Sequence, residues 1–256
     1  MNILALDFDG VVADSQYEAL YTSFHAYINL TKKTRLFGGE EFACKDMRII
    51  KKKYKKDVKE YVRLRPYVIK ATDYYVILRA MDGHLKVKGS SDFKKLVKKY
   101  EIESREFNSE FYRLRNKFQT RMLVDWCKLT LPYKKIVNHC KKIKNLMVIF
   151  VTNNESLTLI ETLNEFGINV KKDRIFDWKF GTNKKEKIKA VAIKYKIPLN
   201  DIYFVDDQIE SLIKVKEIGV NCYLALWGYN NKEQRELAKK EGIILLTEKG
   251  FLKEFK

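Results

Sequence analysis

Ile3-Leu4-Ala5-Leu6-Asp7-Phe8-Asp9-Gly10-Val11-Val12-Ala13-Asp14-Ser15 is the stretch whose reading decides the fold. Ile3 to Leu6 is an apolar run, and it delivers two aspartates one residue apart, followed at once by glycine. A buried strand ending this way places carboxylates at the carboxyl edge of a sheet, where open α/β folds bind their ligands. Residues i and i+2 of a strand point to the same side, so Asp7 and Asp9 are expected to work together. Two like charges held close are costly unless a cation or a shared proton relieves them. A bound Mg²⁺ is therefore expected, since hard cations take oxygen ligands.

From about Leu131 onward, short apolar strands alternate with amphipathic helices. Strands are predicted at 3–6, 146–151, 174–178, 202–205, 220–226 and 243–246, with helices at 155–166, 184–195, 208–218 and 232–240. Repeated β-α alternation predicts an α/β fold, a Rossmann-like parallel sheet flanked by helices on both faces. Between Asp14 and Thr130 that rhythm stops, and charged-apolar stretches at helical spacing take over: 16–30, 46–62, 67–81, 91–100 and 104–124. Such an insert is too long for a loop. The expected organisation is an α/β core of residues 1–14 and 131–256 with a helical domain, 15–130, inserted after the first strand.

The composition, 46% hydrophobic and 33% charged over 256 residues, is that of a globular protein. Cys44, Cys127, Cys140 and Cys222 form no CxxC pair and read as reduced thiols, which argues against zinc or a disulfide framework. No apolar run is longer than that of Leu146 to Val151, which is far too short to span a bilayer. The first strand starts within two residues of Met1, leaving no room for a signal peptide, so a cytoplasmic location is expected. The net charge of +18 attracts polyanions, phosphorylated small molecules included, and raises nucleic acid as a partner. A lysine- and glutamate-rich, glutamine-poor surface is also a composition of hyperthermophiles. We favour that reading, and likewise read Lys51-Lys52-Lys53-Tyr54-Lys55-Lys56 as a solvated helix face.

Each later core strand runs into polar residues at a helix start. Thr152-Asn153-Asn154 follows the strand 146–151 and offers a hydroxyl, amides and backbone N–H groups to a phosphate-sized anion. Helix capping alone would explain one of them. Asp206-Asp207 follows the strand 202–205; capping needs one aspartate, and two point to a metal. Lys184 opens the preceding helix, though a single lysine carries little weight in so lysine-rich a chain.

Taken in order, DxDG, Thr-Asn, a lysine and DD resemble the motifs of the haloacid dehalogenase superfamily of phosphohydrolases, with DFDGVVADS the most specific element. Leu226-Trp227-Gly228-Tyr229 is similar to the segment after the fifth core strand in phosphoglycolate-phosphatase-like members. The resemblance covers residues 1–15 and about 131–256, and the insert occupies the place of the family's helical C1-type cap. It implies a Mg²⁺-dependent phosphatase acting on a small phosphomonoester, of the phosphoglycolate or sugar-phosphate type. Asp7 matches the nucleophile that forms an aspartyl-phosphate, and Asp9 the general acid/base. Thr152, with Asn153 as helper, matches the second-motif group on the phosphoryl oxygens, and Lys184 the third-motif cation. Asp206 and Asp207 match the acids that complete the metal site with Asp7 and the backbone carbonyl at Asp9. Gly10 and Arg65 join Thr152, Asn153 and Lys184 as phosphate- or substrate-binding candidates.

The chain departs from the commoner fourth motif, Gly-Asp with an acid four residues later. Here Asp206 stands for the glycine and Ser211 for the later acid, which makes Asp207 the first choice for direct ligand, then Asp206, with Glu210 behind. Lys185 and Lys187 compete with Lys184 for the lysine role, and spacing to the next strand favours Lys184. In the insert, Arg63, Arg65 and Tyr67 around Pro66 are candidates to touch the leaving group. The aspartate at position 9 argues for phosphate chemistry over dehalogenation. A phosphomutase or phosphotransferase keeps the same motifs, and a catalytically silent, basic nucleic-acid-binding protein is the alternative from another class.

Overall fold

The computed structural model describes residues 2–181 and 183–256. The chain divides into two compact units, Met1–Asp14 with Leu131–Lys256, and Ser15–Thr130. In the first unit six strands form one parallel sheet: β1 (Ile3–Leu6), β4 (Met147–Val151), β5 (Ile175–Phe176), β6 (Ile202–Asp206), β7 (Asn221–Ala225) and β8 (Ile244–Leu246). Two further short strands, β2 (Ala13–Asp14) and β3 (Leu131–Pro132), pair antiparallel where the chain leaves this unit and returns to it.

The sheet order is β5-β4-β1-β6-β7-β8, so β1 is central and paired on both sides, Ile3 with Met147 and Ile202 and Leu6 with Phe150 and Val205. Full burial on two faces explains why β1 reads as an unbroken apolar run. Its residues alternate between two cores: Leu4 and Leu6 pack with Ile136, Leu159 and Phe251, while Ile3 and Ala5 pack with Ile188, Leu212 and Val215. From β1 the chain builds outward through β4 and β5, then through β6, β7 and β8 on the other side. That reversal opens a crevice beyond the carboxyl ends of β1, β4 and β6.

The predicted strand at 174–178 shrinks to Ile175–Phe176, because the Asp177 side chain accepts from the Lys179 N–H at 3.0 Å and caps a 3₁₀ turn, Trp178–Phe180. Short helices at Lys134–Cys140 and Glu248–Glu254 were not expected from the pattern.

The second unit is helical and encloses its own aromatic-rich core, including Phe24, Tyr61, Tyr74, Phe107 and Phe111. The stretch predicted as one helix over 46–62 is two, Met47–Lys53 and Lys55–Leu64, broken where Tyr54 leaves helical geometry (φ −110°, ψ 44°). The helix expected from Tyr67 begins at Ala71, because Arg65–Tyr67 forms a 3₁₀ turn around Pro66 and Asp73 caps the start by accepting from the Lys70 N–H at 3.0 Å. The last predicted helix, 104–124, is Glu101–Arg121 followed by a separate short helix, Leu123–Cys127. All four cysteines are free thiols. Among the described residues no helix is long and apolar enough to cross a membrane.

Candidate active site

Asp7 is the first residue past β1, held there as its N–H donates to the Val205 carbonyl of β6 at 2.9 Å. Its Oδ1 accepts from the Phe8 N–H at 2.7 Å and from Lys184 Nζ at 2.5 Å, and both side chains of the ion pair are buried. Lys184 reaches Asp7 because Asn183 caps the helix Lys184–Tyr195 by accepting from the Glu186 N–H at 3.0 Å, which makes Lys184 its first residue. Lys184 also donates to the Val151 carbonyl at the end of β4. The neighbouring lysines go elsewhere: Lys185 pairs with Glu217 at 2.7 Å, and Lys187 donates to the Thr152 carbonyl at 2.7 Å and to Asn153 Oδ1.

Asp206 and Asp207 end β6 and begin the turn beyond it. Oxygens of Asp7, Asp206 and Asp207 lie within 4.8 Å of one another, and all three residues are buried. Asp206 Oδ1 accepts from the Gln208 N–H at 2.9 Å, whereas Asp206 Oδ2 is buried and has no hydrogen-bond partner among the described residues. Asp207 Oδ2 instead accepts from the Tyr229 N–H at 2.6 Å. The open oxygen thus belongs to Asp206, the second choice on sequence grounds. Glu210 is not part of this carboxylate cluster.

Two glycines allow Asp207 its place. Gly10 has φ +78°, and a Cβ there would stand 2.0 Å from Asp207 Oδ2. A Cβ on Gly228 would stand 2.4 Å from both Asp207 Cβ and the Gly10 carbonyl oxygen. The loop carrying Gly228 is fastened to the 7–14 segment on either side, by Trp227 Nε1 donating to the Val11 carbonyl at 2.9 Å and Tyr229 OH donating to Asp14 at 2.8 Å. This gives the Trp-Gly-Tyr likeness a physical content: the loop is a clamp on an acidic side chain.

Asp9 sits in the turn after β1, where the Val12 and Ala13 N–H groups donate to the Phe8 carbonyl at 2.9 and 3.0 Å. Its Oδ2 accepts from Asn154 Nδ2 at 2.9 Å. Thr152 is fully buried, and its Oγ1 accepts from the Asn154 N–H at 3.0 Å. Asn153 is exposed. Of the two asparagines it is Asn154 that holds Asp9, a role sequence reasoning missed although both lie in the motif. Arg65 lies in the helical unit, buried, with its guanidinium 5.4 Å from the centre of the Tyr74 ring and donating to the Val68 carbonyl at 3.4 Å.

The electrostatics are those of crowded acid. Burial pushes the Asp7 carboxyl up to about 7 against the pull of Lys184, and the charges of Asp206 and Asp9 add to the rise. Asp206 is raised too, chiefly by burial. Burial works to lower Lys184, but Asp7, Asp206 and Asp9 outweigh it and hold the ammonium charged. An orphaned carboxylate oxygen among three buried carboxylates fits a hard divalent cation.

Known structures share this arrangement of elements. A predicted phosphatase from Clostridium acetobutylicum aligns over 99% of this chain and 97% of its own, with TM-score 0.61 and 14% identity. The chain has the haloacid dehalogenase-like fold. A haloacid dehalogenase-like family hydrolase from Streptococcus pneumoniae aligns over 96% of this chain and 93% of its own (TM-score 0.58, 10% identity). A predicted phosphoglycolate phosphatase from Haemophilus somnus covers 99% and 97% (TM-score 0.58, 13% identity). No family model and no curated protein matches the sequence. In the haloacid dehalogenase-like fold of this chain, Asp7, Thr152 and Asp206 stand at or just beyond the carboxyl ends of three adjacent strands, β1, β4 and β6.

Proposed function

We propose that the protein is a metal-dependent phosphatase that hydrolyses a small phosphomonoester through an aspartyl-phosphate at Asp7. The observation that carries this reading is the buried Asp7–Lys184 pair beside the open oxygen of Asp206, with Asp9 held two residues away by Asn154. Phosphoryl transfer asks for in-line positioning and charge neutralisation more than for unusual side chains.

Asp7, Asp206 and Asp207 are the residues that would hold Mg²⁺. When bound, the ion neutralises phosphoryl charge and lets an anionic carboxylate approach an anionic ester. Lys184, the Thr152 hydroxyl and the backbone N–H of Asn153 bind the phosphoryl oxygens. Asp7 attacks phosphorus, forming a bond to its carboxylate oxygen as the bond to the leaving oxygen breaks, and Asp9 donates the proton that oxygen needs. Asp9, now ionised, takes a proton from water as the water attacks phosphorus, releasing inorganic phosphate and restoring Asp7. Asn154 holds Asp9 in place for both proton transfers. The fold likeness to a predicted phosphoglycolate phosphatase supports a small phosphorylated acid as one substrate to test first.

The test is hydrolysis of p-nitrophenyl phosphate by the wild type with Mg²⁺, with EDTA, and by Asp7→Asn with Mg²⁺. Turnover that needs the metal and vanishes in the variant supports the proposal. Turnover unaffected by both changes, or none under any condition together with tight, salt-sensitive oligonucleotide binding, refutes it. Dependence on a bisphosphorylated activator would assign the same residues to a mutase.

A further inference from the structure

The proposed chemistry accounts for Lys184 but not for Lys187, one helical turn further on. Lys187 is fully buried, and among the described residues it has no carboxylate partner within ion-pair distance. Both lysines lie in the first turn of their helix, where the backbone dipole disfavours cations. An ammonium buried there without an acid is a costly choice that an apolar side chain would avoid.

The contacts of Lys187 show what the cost is spent on. Its Nζ donates to the Thr152 carbonyl at 2.7 Å and to Asn153 Oδ1, so it grips consecutive residues of the turn after β4. The Thr152 carbonyl and the Asn153 N–H belong to the same peptide group. A cation bound to that oxygen draws electron density from the amide and strengthens its N–H as a donor. The Asn153 N–H donates to no acceptor among the described residues, and it lies at the sheet edge where the phosphoryl group is expected.

Resting on the phosphatase reading, we infer that Lys187 is a second buried cation of the phosphoryl site, a positioning residue that orients and polarises the Thr152–Asn153 peptide so that the Asn153 N–H receives a phosphoryl oxygen. The groups that act on its charge are Lys184 from its own helix, Asp7 from the end of β1, Asp206 from β6 and Asp177 from beyond β5. Burial, with the Lys184 charge, lowers Lys187 to about 8, so anion binding at the turn should weaken as the pH rises through that value.

The experiment titrates inorganic phosphate, with Mg²⁺, into the wild-type chain, Lys187→Met and Lys187→Gln, following the Asn153 amide by NMR, at pH 7 and 9. The expected result for both variants is phosphate binding weakened at least tenfold at pH 7, with little further change at pH 9. In the wild type, binding should fall between those values. The Asn153 amide resonance should also move in the phosphate-free variants. The glutamine variant keeps a neutral donor for the carbonyl, so it separates lost charge from lost fold should methionine prevent folding. Wild-type affinity and pH dependence in a folded variant overturn the inference alone. If the wild type binds no phosphate, this inference and the phosphatase reading both fall; if it binds phosphate but does not turn over ester, only the phosphatase reading fails.

Discussion

Asp206→Asn is expected to stabilise the metal-free protein while weakening its response to Mg²⁺. Asparagine keeps the carbonyl that accepts from the Gln208 N–H, and it replaces the orphaned Oδ2 with an amide donor. That donor arrives where oxygens of Asp7 and Asp207 lie within 4.8 Å of those of residue 206. A buried, unsatisfied polar group costs about 1–3 kcal/mol, so the variant should gain on that order in EDTA. For a unit of this size that is roughly 2–12 °C in melting temperature. Mg²⁺ at a hundred times its Kd adds about 2.7 kcal/mol to the wild type, whereas a variant binding a hundredfold more weakly gains only about 0.4 kcal/mol. The metal should therefore shift the balance by about 2.3 kcal/mol toward the wild type. Thermal melts in EDTA and across a Mg²⁺ titration measure both quantities without reference to activity. A variant that melts lower than wild type in EDTA, or that shows the full wild-type Mg²⁺ shift, refutes the assignment of the open oxygen as a ligand.

Other perturbations probe the parts separately. Gly10→Ala imposes a left-handed φ costing about 1–2 kcal/mol and an overlap with Asp207 costing about 1–3 kcal/mol more, so denaturant melts should show both a large loss and weaker Mg²⁺ binding. Asn154→Ala removes a hydrogen bond to the Asp9 carboxylate worth about 1.5–3 kcal/mol, and steady-state kinetics should show kcat falling roughly ten- to a hundredfold with the fold intact. Lys187 binds fewer protons folded than unfolded between about 8 and 10.5, so its contribution to stability is unfavourable below pH 8 and is relieved as the pH rises. Over pH 8 to 10 that relief is about 2–3 kcal/mol, and the difference in stability between wild type and Lys187→Met should shrink accordingly in denaturant melts in EDTA.

The sheet was legible because its strands are short, apolar and buried on both faces, and the pattern of β1 is unambiguous between Ile3 and Leu6. That polar groups gather at the ends of β1, β4 and β6 was legible, because polar residues there have no core to fill. What resisted reading lay one or two positions away from the motifs. Lys184 and Lys187 share a helix face, and only packing shows that one reaches a carboxylate and the other a peptide carbonyl. Asn153 and Asn154 are chemically identical neighbours, and the turn geometry alone decides which faces Asp9. The choice between Asp206 and Asp207 depends on a distant segment, since the Tyr229 N–H occupies an oxygen of Asp207. In the helical unit, the break at Tyr54 carries no glycine or proline to announce it, whereas the late start at Ala71 follows from Pro66.

The most direct test of the central claim is chemical trapping of the phosphorylated enzyme. Borohydride added during turnover of a phosphomonoester reduces an aspartyl-phosphate to homoserine, which peptide mass spectrometry locates. Homoserine at position 7, dependent on substrate and Mg²⁺, is the predicted result; an unmodified Asp7 under conditions of steady turnover, or modification at another carboxylate, contradicts it.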